Sequence, residues 1–139
     1  MDGRRYSIVL VEDNEGDTRL VDEMLVDTGL EHDLYWFKDA PSFERFFSEG
    51  GRADLVLIDL NVPGTSVHDL ISTIKRRAGE VDAPIVAYTG SSSPEDMVRL
   101  REEGVERYLV KPMGLEEMEK TSAVLRELLL DEKVTADRS

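Results

Sequence analysis

The chain has 139 residues, a formal net charge of −13 at pH 7 and no cysteine. This length fits one domain, and the lack of cysteine excludes disulfides, thiolate zinc sites and thiol catalysis. The negative charge argues against nucleic acids and anionic membranes as direct partners, because both would repel the protein. No apolar stretch approaches the roughly 20 residues that cross a bilayer. The N-terminus leads directly into a predicted strand, so we expect a cytoplasmic protein without a signal peptide.

The acidic composition has two interpretations. The carboxylates can form a solvated surface that keeps a small protein soluble, or they can adapt the protein to high salt, where salt screens their mutual repulsion. The basic residues comprise 12 Arg and only 5 Lys, which fits the second interpretation. The sequence leaves both open.

The first half of the chain contains three short apolar runs that predict strands, at about residues 7–11, 33–37 and 54–59. Leu20, Met24 and Leu25 recur at helical spacing within a helix predicted at about 15–28, and Gly29 is its expected C-terminal cap. A shorter helix begins near Pro41, where the missing N–H of proline would be unpaired in any case. It ends at the glycines at 50–51.

The second half continues the alternation, with helices predicted at about 66–77, 94–103 and 115–130 and strands at about 85–88 and 107–110. Apolar runs of this length, separated by helices, are typical of buried parallel strands. The pattern predicts an α/β fold with a doubly wound, five-stranded parallel sheet and five helices. We expect one domain at residues 1–130, a short polar tail at 131–139 and no effector domain.

Polar residues follow four of the predicted strands directly. They are Glu12, Asp13, Asp59, Thr89 and Lys111. In an open parallel sheet, ligand chemistry gathers outside the carboxyl ends of the strands, so these side chains are expected to converge. Three carboxylates at one edge repel each other unless a cation lies among them, and Mg²⁺ prefers such oxygen ligands.

The same residues favour metal-assisted phosphorylation. Asp59 is placed as a carboxylate nucleophile of the kind that forms an aspartyl phosphate, and Lys111 would give a fixed positive charge to the phosphoryl oxygens. Thr89 offers a hydroxyl donor, and the backbone carbonyl of Asn61 is close enough in sequence to bind the metal. A cis peptide bond before Pro112 would help to aim the ammonium group.

Each of these residues also has an ordinary structural interpretation. Asp13 and Asn14 could cap the first helix, Thr89 could simply end a strand, and Lys111 could be a solvated turn residue. Other chemistry-bearing side chains are expected to be structural. His32 and His68 are expected to be solvated, whereas Met97, Met113, Met118 and Trp36 are expected to pack.

Taken together, four short motifs resemble the receiver domain of two-component response regulators over essentially the whole chain. They are Glu12-Asp13, Asp59-Leu60-Asn61-Val62-Pro63, Thr89-Gly90 and Lys111-Pro112. The resemblance implies a flavodoxin-like fold with strand order 2-1-3-4-5. The segment at 11–21 also resembles the branch of stand-alone receivers that serve phytochrome-type and other sensor histidine kinases.

The resemblance implies a role for each motif residue. Asp59 would be the phosphoacceptor, and Thr89 and Lys111 would contact the phosphoryl group. Tyr108, three residues before Lys111, matches the aromatic switch residue that turns inward when the threonine moves. The ligands of Mg²⁺, or alternatively Mn²⁺, would be Glu12, Asp13, Asp59 and the Asn61 backbone carbonyl.

We therefore predict a single-domain response regulator that accepts a phosphoryl group on Asp59 from a sensor histidine kinase. It would not be an enzyme for an external substrate, although it supports its own Mg²⁺-dependent phosphorylation and dephosphorylation. Phosphate would shift a surface formed by the predicted elements at 94–103, 107–110 and 115–130, to which a downstream protein or a second copy binds. Met97, Val98 and Leu100 are candidate contact residues.

The sequence is compatible with two other functions of the same fold, and it disfavours a third. The domain could bind partners without phosphate, or it could act as a phosphate sink for a kinase that serves other regulators. A metal-dependent phosphatase or nuclease is disfavoured, because aspartyl phosphatases usually carry a general acid two residues after the nucleophile, where this chain has Asn61.

Overall fold

The computed structural model describes residues 4–60, 68–69, 71–73, 75–76, 83–90, 94–105 and 107–130. Its five strands are β1 (Tyr6–Val11), β2 (His32–Phe37), β3 (Leu55–Ile58), β4 (Ile85–Thr89) and β5 (Arg107–Val110). Four helices are α1 (Glu15–Asp27), α2 (Ala40–Ser48), α4 (Pro94–Glu102) and α5 (Leu115–Leu130). Residues 68–69, 71–73 and 75–76 are helical and represent α3.

The strands form one parallel sheet in the order β2-β1-β3-β4-β5. The register places Ile8 opposite Leu55 and Ile58 opposite Ala87. Because every neighbouring pair is parallel, the carboxyl ends of all five strands lie along one edge. The predicted doubly wound sheet, its strand order and its five helices are confirmed.

Side chains that alternate along the central strands build two apolar cores, one on each face of the sheet. In β1, Ile8 and Leu10 belong to one core, and Val9 and Val11 belong to the other. The first core is completed by α1 and α5, and the second by α2, α3 and α4. The central strands are therefore apolar apart from Ser7 in β1 and Thr89 at the end of β4, as expected of a sheet covered on both faces.

The helix ends follow local chemistry that the sequence makes visible. Asn14 caps α1 by accepting a hydrogen bond from the Asp17 amide at 2.8 Å, and the Asp39 side chain caps α2 in the same way. Gly29 and Gly104 follow α1 and α4 with φ of 78° and 95°, a conformation that glycine adopts without a Cβ penalty. These ends agree with the predicted ones within one or two residues.

Several predictions about single side chains are corrected by the packing. His32 is half-buried, with its ring nitrogens 3.2 Å from Leu30 O and 3.2 Å from Asp22 Oδ1, because β2 brings it against the side of α1. His68 is exposed as predicted. Met118 packs on the core, but Met113 is exposed in the loop before α5.

None of the helices in the described part of the chain combines the length and the apolar character that a membrane crossing requires.

Candidate functional site

Three backbone hydrogen bonds extend the sheet beyond its strands and fix the polar residues that follow them. Glu12 N donates to Phe37 O at 3.0 Å, Asp59 N donates to Val11 O at 2.9 Å, and Lys111 N donates to Thr89 O at 2.7 Å. The positions of Glu12, Asp59 and Lys111 are therefore set by the sheet itself. The sequence prediction that these side chains meet at one edge is consistent with this geometry.

The carboxylates of Glu12, Asp13 and Asp59 form a group in which one oxygen of each lies within 4.8 Å of the others. Glu12 is fully buried, Asp59 is 3% exposed and Asp13 is exposed. Glu12 Oε2 accepts a hydrogen bond from Asn14 N at 3.2 Å, whereas the buried Glu12 Oε1 accepts none from the described residues. An exposed oxygen, a buried oxygen without a hydrogen bond and the Asp59 carboxylate are a donor set that fits a hard divalent cation.

The pKa of Glu12 shows that the three carboxylates carry more negative charge than their surroundings neutralise. Burial, together with the hydrogen bond and charge of Asp59, raises the pKa of the Glu12 carboxyl to about 7, while Lys111 opposes the shift. When burial and a neighbouring carboxylate disfavour the ionised form of a carboxyl group, an additional cation nearby stabilises that form. The acidic pair at the end of β1 therefore has an electrostatic reason to bind a metal ion.

Lys111 reaches into the same group from the end of β5. Its Nζ lies 3.0 Å from Glu12 Oε1, 3.3 Å from Asp59 Oδ2 and 2.6 Å from Asp17 Oδ2. Burial opposes the charged form, but the close contacts with the Asp17 and Glu12 carboxylates and the charge of Asp59 outweigh it and raise the pKa of Lys111 above its usual value. The ammonium also lies 5.7 Å from the centroid of the Tyr88 ring, so it stays charged in a half-buried place.

Asp17 is a site residue that the sequence reasoning missed. It lies in the first turn of α1, three residues after the Asn14 cap, and its partner Lys111 is 94 residues away. An acidic residue in the first turn of a helix is usually explained by the helix dipole. The available signal was the position of that turn, directly after Glu12-Asp13 at the carboxyl edge of the sheet.

Trp36 makes a hydrogen bond to the site in addition to the packing that the sequence predicts. Its Nε1–H donates to the Glu12 backbone oxygen at 2.6 Å, and its ring packs on the core beside α1. The packing role is therefore only part of its contribution, because the indole also holds the backbone of a residue in the acidic group. Since it is the chain's single tryptophan, its fluorescence reports on this place alone.

The remaining predicted site residues have different outcomes. Thr89 is buried at the end of β4, and Tyr108 is half-buried against the second core. Asn61 lies outside the described residues. The peptide bond before Pro112 is trans, so the predicted cis bond is wrong; the hydrogen bond of the Lys111 amide and the three acidic partners of its side chain aim the ammonium without it.

The candidate contact residues on α4 divide between surface and core. Val98 is exposed, Met97 is half-buried and Leu100 is buried. Leu100 belongs to the second core and is therefore unsuited to contact a partner. Beside α4, the end of β5 and the loop that follows expose Val110 and Met113.

Residues 8–123 match the family model of the response regulator receiver domain, and the chain belongs to this family. Its fold is the one that the sequence resemblance implied.

Among curated proteins, the chain is 32% identical over 130 residues to the probable methanogenesis regulatory protein FilR2 of Methanothrix harundinacea, covering 90% of this chain and 84% of that protein. It is 31% identical over 117 residues to the response regulator Rcp1 of Synechocystis, covering 80% of each.

The solved structures agree. The Mn²⁺-bound form of Rcp1 matches with a TM-score of 0.75 and 29% identity, covering 91% of this chain and 95% of that one. The phosphorylated cyanobacterial phytochrome response regulator RcpA matches with a TM-score of 0.78 and 24% identity, covering 93% and 96%, and supports the fold. The resemblance to response regulator receivers is thereby confirmed.

Proposed function

We propose that this response regulator accepts a phosphoryl group on Asp59 from the phosphohistidine of a sensor histidine kinase, in a reaction that requires Mg²⁺. One observation carries the proposal. The nearly buried Asp59 carboxylate belongs to a group with the Glu12 and Asp13 carboxylates, whose oxygens lie within 4.8 Å of one another, and it lies 3.3 Å from the Lys111 ammonium. A nucleophile with a cation-binding group and a fixed cation beside it is suited to attack an anionic phosphoryl group.

The chain's own residues would divide the work of transfer. An Asp59 oxygen forms the new O–P bond while the N–P bond to the kinase histidine breaks, and the leaving imidazole takes up a proton from water. Lys111 neutralises one phosphoryl oxygen as a point charge. Glu12 and Asp13, with the Asn61 carbonyl as a further proposed ligand, hold the divalent cation. When bound, that cation neutralises the charge that develops between the nucleophile and the phosphoryl oxygens.

Mn²⁺ is an alternative occupant under this proposal, because the relative Rcp1 has been crystallised with Mn²⁺ and both ions accept carboxylate oxygens. The reversal of phosphorylation is part of the same proposal. The cation and Lys111 that favour attack by Asp59 also stabilise the transition state in which water removes the phosphoryl group.

The signal would leave through protein contacts on the face formed by α4, β5 and α5. A phosphoryl group on Asp59 attracts the Thr89 hydroxyl, which lies at the same end of the neighbouring strand, and vacated space lets the Tyr108 ring move inward. Val98 and Val110 are exposed on this face and are proposed to contact a downstream protein or a second copy. We propose a cytoplasmic location, where the kinase's phosphohistidine would be accessible.

The direct test is intact-protein mass spectrometry after incubation with acetyl phosphate and Mg²⁺. We expect one added phosphoryl group in the wild type and none in Asp59→Asn. Asp27→Asn, an equivalent substitution of an exposed acid at the far end of α1, should be labelled like the wild type. EDTA should abolish labelling of the wild type and of Asp27→Asn.

Other outcomes would contradict the proposal. Labelling of Asp59→Asn at the wild-type level would place the phosphosite elsewhere. A wild type that binds Mg²⁺ but is never labelled would favour a receiver that binds its partners without phosphate. Labelling followed by loss of the phosphoryl group, without any change in partner binding, would favour a phosphate sink.

A further inference from the structure

The three acidic partners of Lys111 are not equivalent. Glu12 and Asp59 belong to the group of carboxylates that can hold a divalent cation, together with Asp13. Asp17 does not belong to that group, yet its oxygen makes the shortest contact with the ammonium, 2.6 Å compared with 3.0 Å for Glu12 and 3.3 Å for Asp59. Lys111 is therefore shared between the cation-binding carboxylates and one carboxylate outside them.

A divalent cation and the ammonium compete for the same oxygens. Glu12 Oε1 contacts Lys111 and accepts no hydrogen bond from the described residues, which makes it the natural ligand for an incoming cation. A cation bound to Glu12 and Asp59 would repel an ammonium about 3 Å from the same oxygens, because like charges at this distance repel strongly in a half-buried site. Binding of the metal thus requires that Lys111 keep another partner.

We propose that Asp17 is a positioning residue that retains the Lys111 ammonium beside the site while a divalent cation occupies the other carboxylates. The backbone of Asp17 is fixed by the Asn14 cap, because the Asn14 side chain accepts a hydrogen bond from the Asp17 amide at 2.8 Å. The Asp17 side chain is 33% exposed, so the ion pair with Lys111 removes its carboxylate from water only in part. In this position Asp17 holds the Lys111 ammonium close to Asp59. The ammonium then pairs with Asp17 and no longer with the carboxylates that bind the metal.

This inference rests on the proposed function for its purpose, since it explains how one site accommodates both the cation and the lysine that phosphoryl transfer needs. Its measurable content is a coupling between Asp17 and Lys111 in cation binding, and that coupling exists without any phosphoryl donor.

The test is a double-mutant cycle on the affinity for Mg²⁺, measured by isothermal titration calorimetry and by Trp36 fluorescence. Asp17→Asn should weaken Mg²⁺ binding by about tenfold, because Lys111 then binds only Glu12 and Asp59 and competes with the cation. Lys111→Met should strengthen binding. In the Lys111→Met background, Asp17→Asn should change the affinity by less than about twofold.

Glu15→Gln is the matched control, because it removes an exposed carboxylate from the same turn of α1 that does not contact Lys111. It should leave the affinity within about twofold of the wild type. Asp17→Glu keeps the charge and should restore most of the lost affinity. Lys111→Gln serves as a second neutral background if circular dichroism shows that Lys111→Met has lost the native fold.

The inference would be overturned if Asp17→Asn weakened Mg²⁺ binding equally with and without Lys111. In that case Asp17 would act only as a further negative charge near the metal. An effect of Glu15→Gln as large as that of Asp17→Asn would also overturn the inference. These results are separable from the proposed function. If the two substitutions act additively on Mg²⁺ affinity in a protein that is phosphorylated on Asp59, only this inference is contradicted. If their effects are coupled in a protein that is never labelled, only the proposed function is contradicted.

Discussion

Replacing Lys111 by Met should destabilise the metal-free protein and should do so far less when Mg²⁺ is present. The Lys111 side chain is 17% exposed, and methionine fills a similar volume without the charge. The substitution leaves the Glu12 and Asp59 carboxylates, both almost fully buried, without the ammonium that lies 3.0 and 3.3 Å from them.

The magnitude follows from these distances. At an effective dielectric constant of about 20, each contact near 3 Å is worth roughly 5 kcal/mol before desolvation is counted. Removing one partner of a buried ion pair typically costs about 3–5 kcal/mol. Glu12 limits the loss, because a carboxyl with a pKa of about 7 takes up a proton when its cation is removed. We therefore expect a loss of about 2–4 kcal/mol in the free energy of unfolding.

The measurement is urea unfolding at pH 7.5, followed by Trp36 fluorescence and circular dichroism, in EDTA and in saturating Mg²⁺. In Mg²⁺ the loss should fall below about 1 kcal/mol, because the cation neutralises the same carboxylates. Lys120→Met is the control, because this lysine is 75% exposed and its pair with Glu116 on the same helix is long, at 3.9 Å. This substitution should lower the free energy of unfolding by less than about 0.5 kcal/mol. Equal losses for Lys111→Met in EDTA and in Mg²⁺ would refute the reasoning.

Three further predictions concern the indole, the apolar core and the surface. Trp36→Phe should lower the free energy of unfolding by about 1–3 kcal/mol, because the Glu12 backbone oxygen loses its donor, and Mg²⁺ binding should weaken. Phe43→Ala, at a fully buried position among aromatic rings, should cost about 3–5 kcal/mol, whereas Val26→Ala, at an exposed position on α1, should cost less than about 0.5 kcal/mol. If the acidic surface is an adaptation to salt, the melting temperature should rise continuously as KCl is raised to molar concentrations, as followed by circular dichroism.

Each of these has an outcome that would count against it. A Trp36→Phe protein with unchanged stability and unchanged Mg²⁺ affinity would mean that the indole hydrogen bond contributes nothing. Similar losses for Phe43→Ala and Val26→Ala would contradict the assignment of Phe43 to the core. A melting temperature that stays flat or falls with salt would leave the charge as an ordinary solvated surface.

Much of this protein is visible in local sequence, because the rules that reveal it are local. Four-residue apolar runs such as that of β3 mark strands buried on both faces, and glycines at positions such as Gly29 and Gly104 mark helix ends that need a positive φ. Asp59 and Lys111 could be placed at one edge of the sheet because the carboxyl ends of parallel strands share that edge. The strand order came with the family resemblance.

Only the tertiary structure decided which side chains meet at that edge. The Asp17–Lys111 contact joins a helix to a strand end 94 residues away, and the Trp36–Glu12 hydrogen bond depends on how β2 lies beside β1. His32 was assigned to solvent because its neighbours in sequence are polar, although α1 covers it. Periodicity gives the face of a helix or strand that is buried, but it does not give the rotation and tilt with which a helix packs on the sheet. Those angles are set by the fit of both cores, and they decide which carboxylate reaches the lysine.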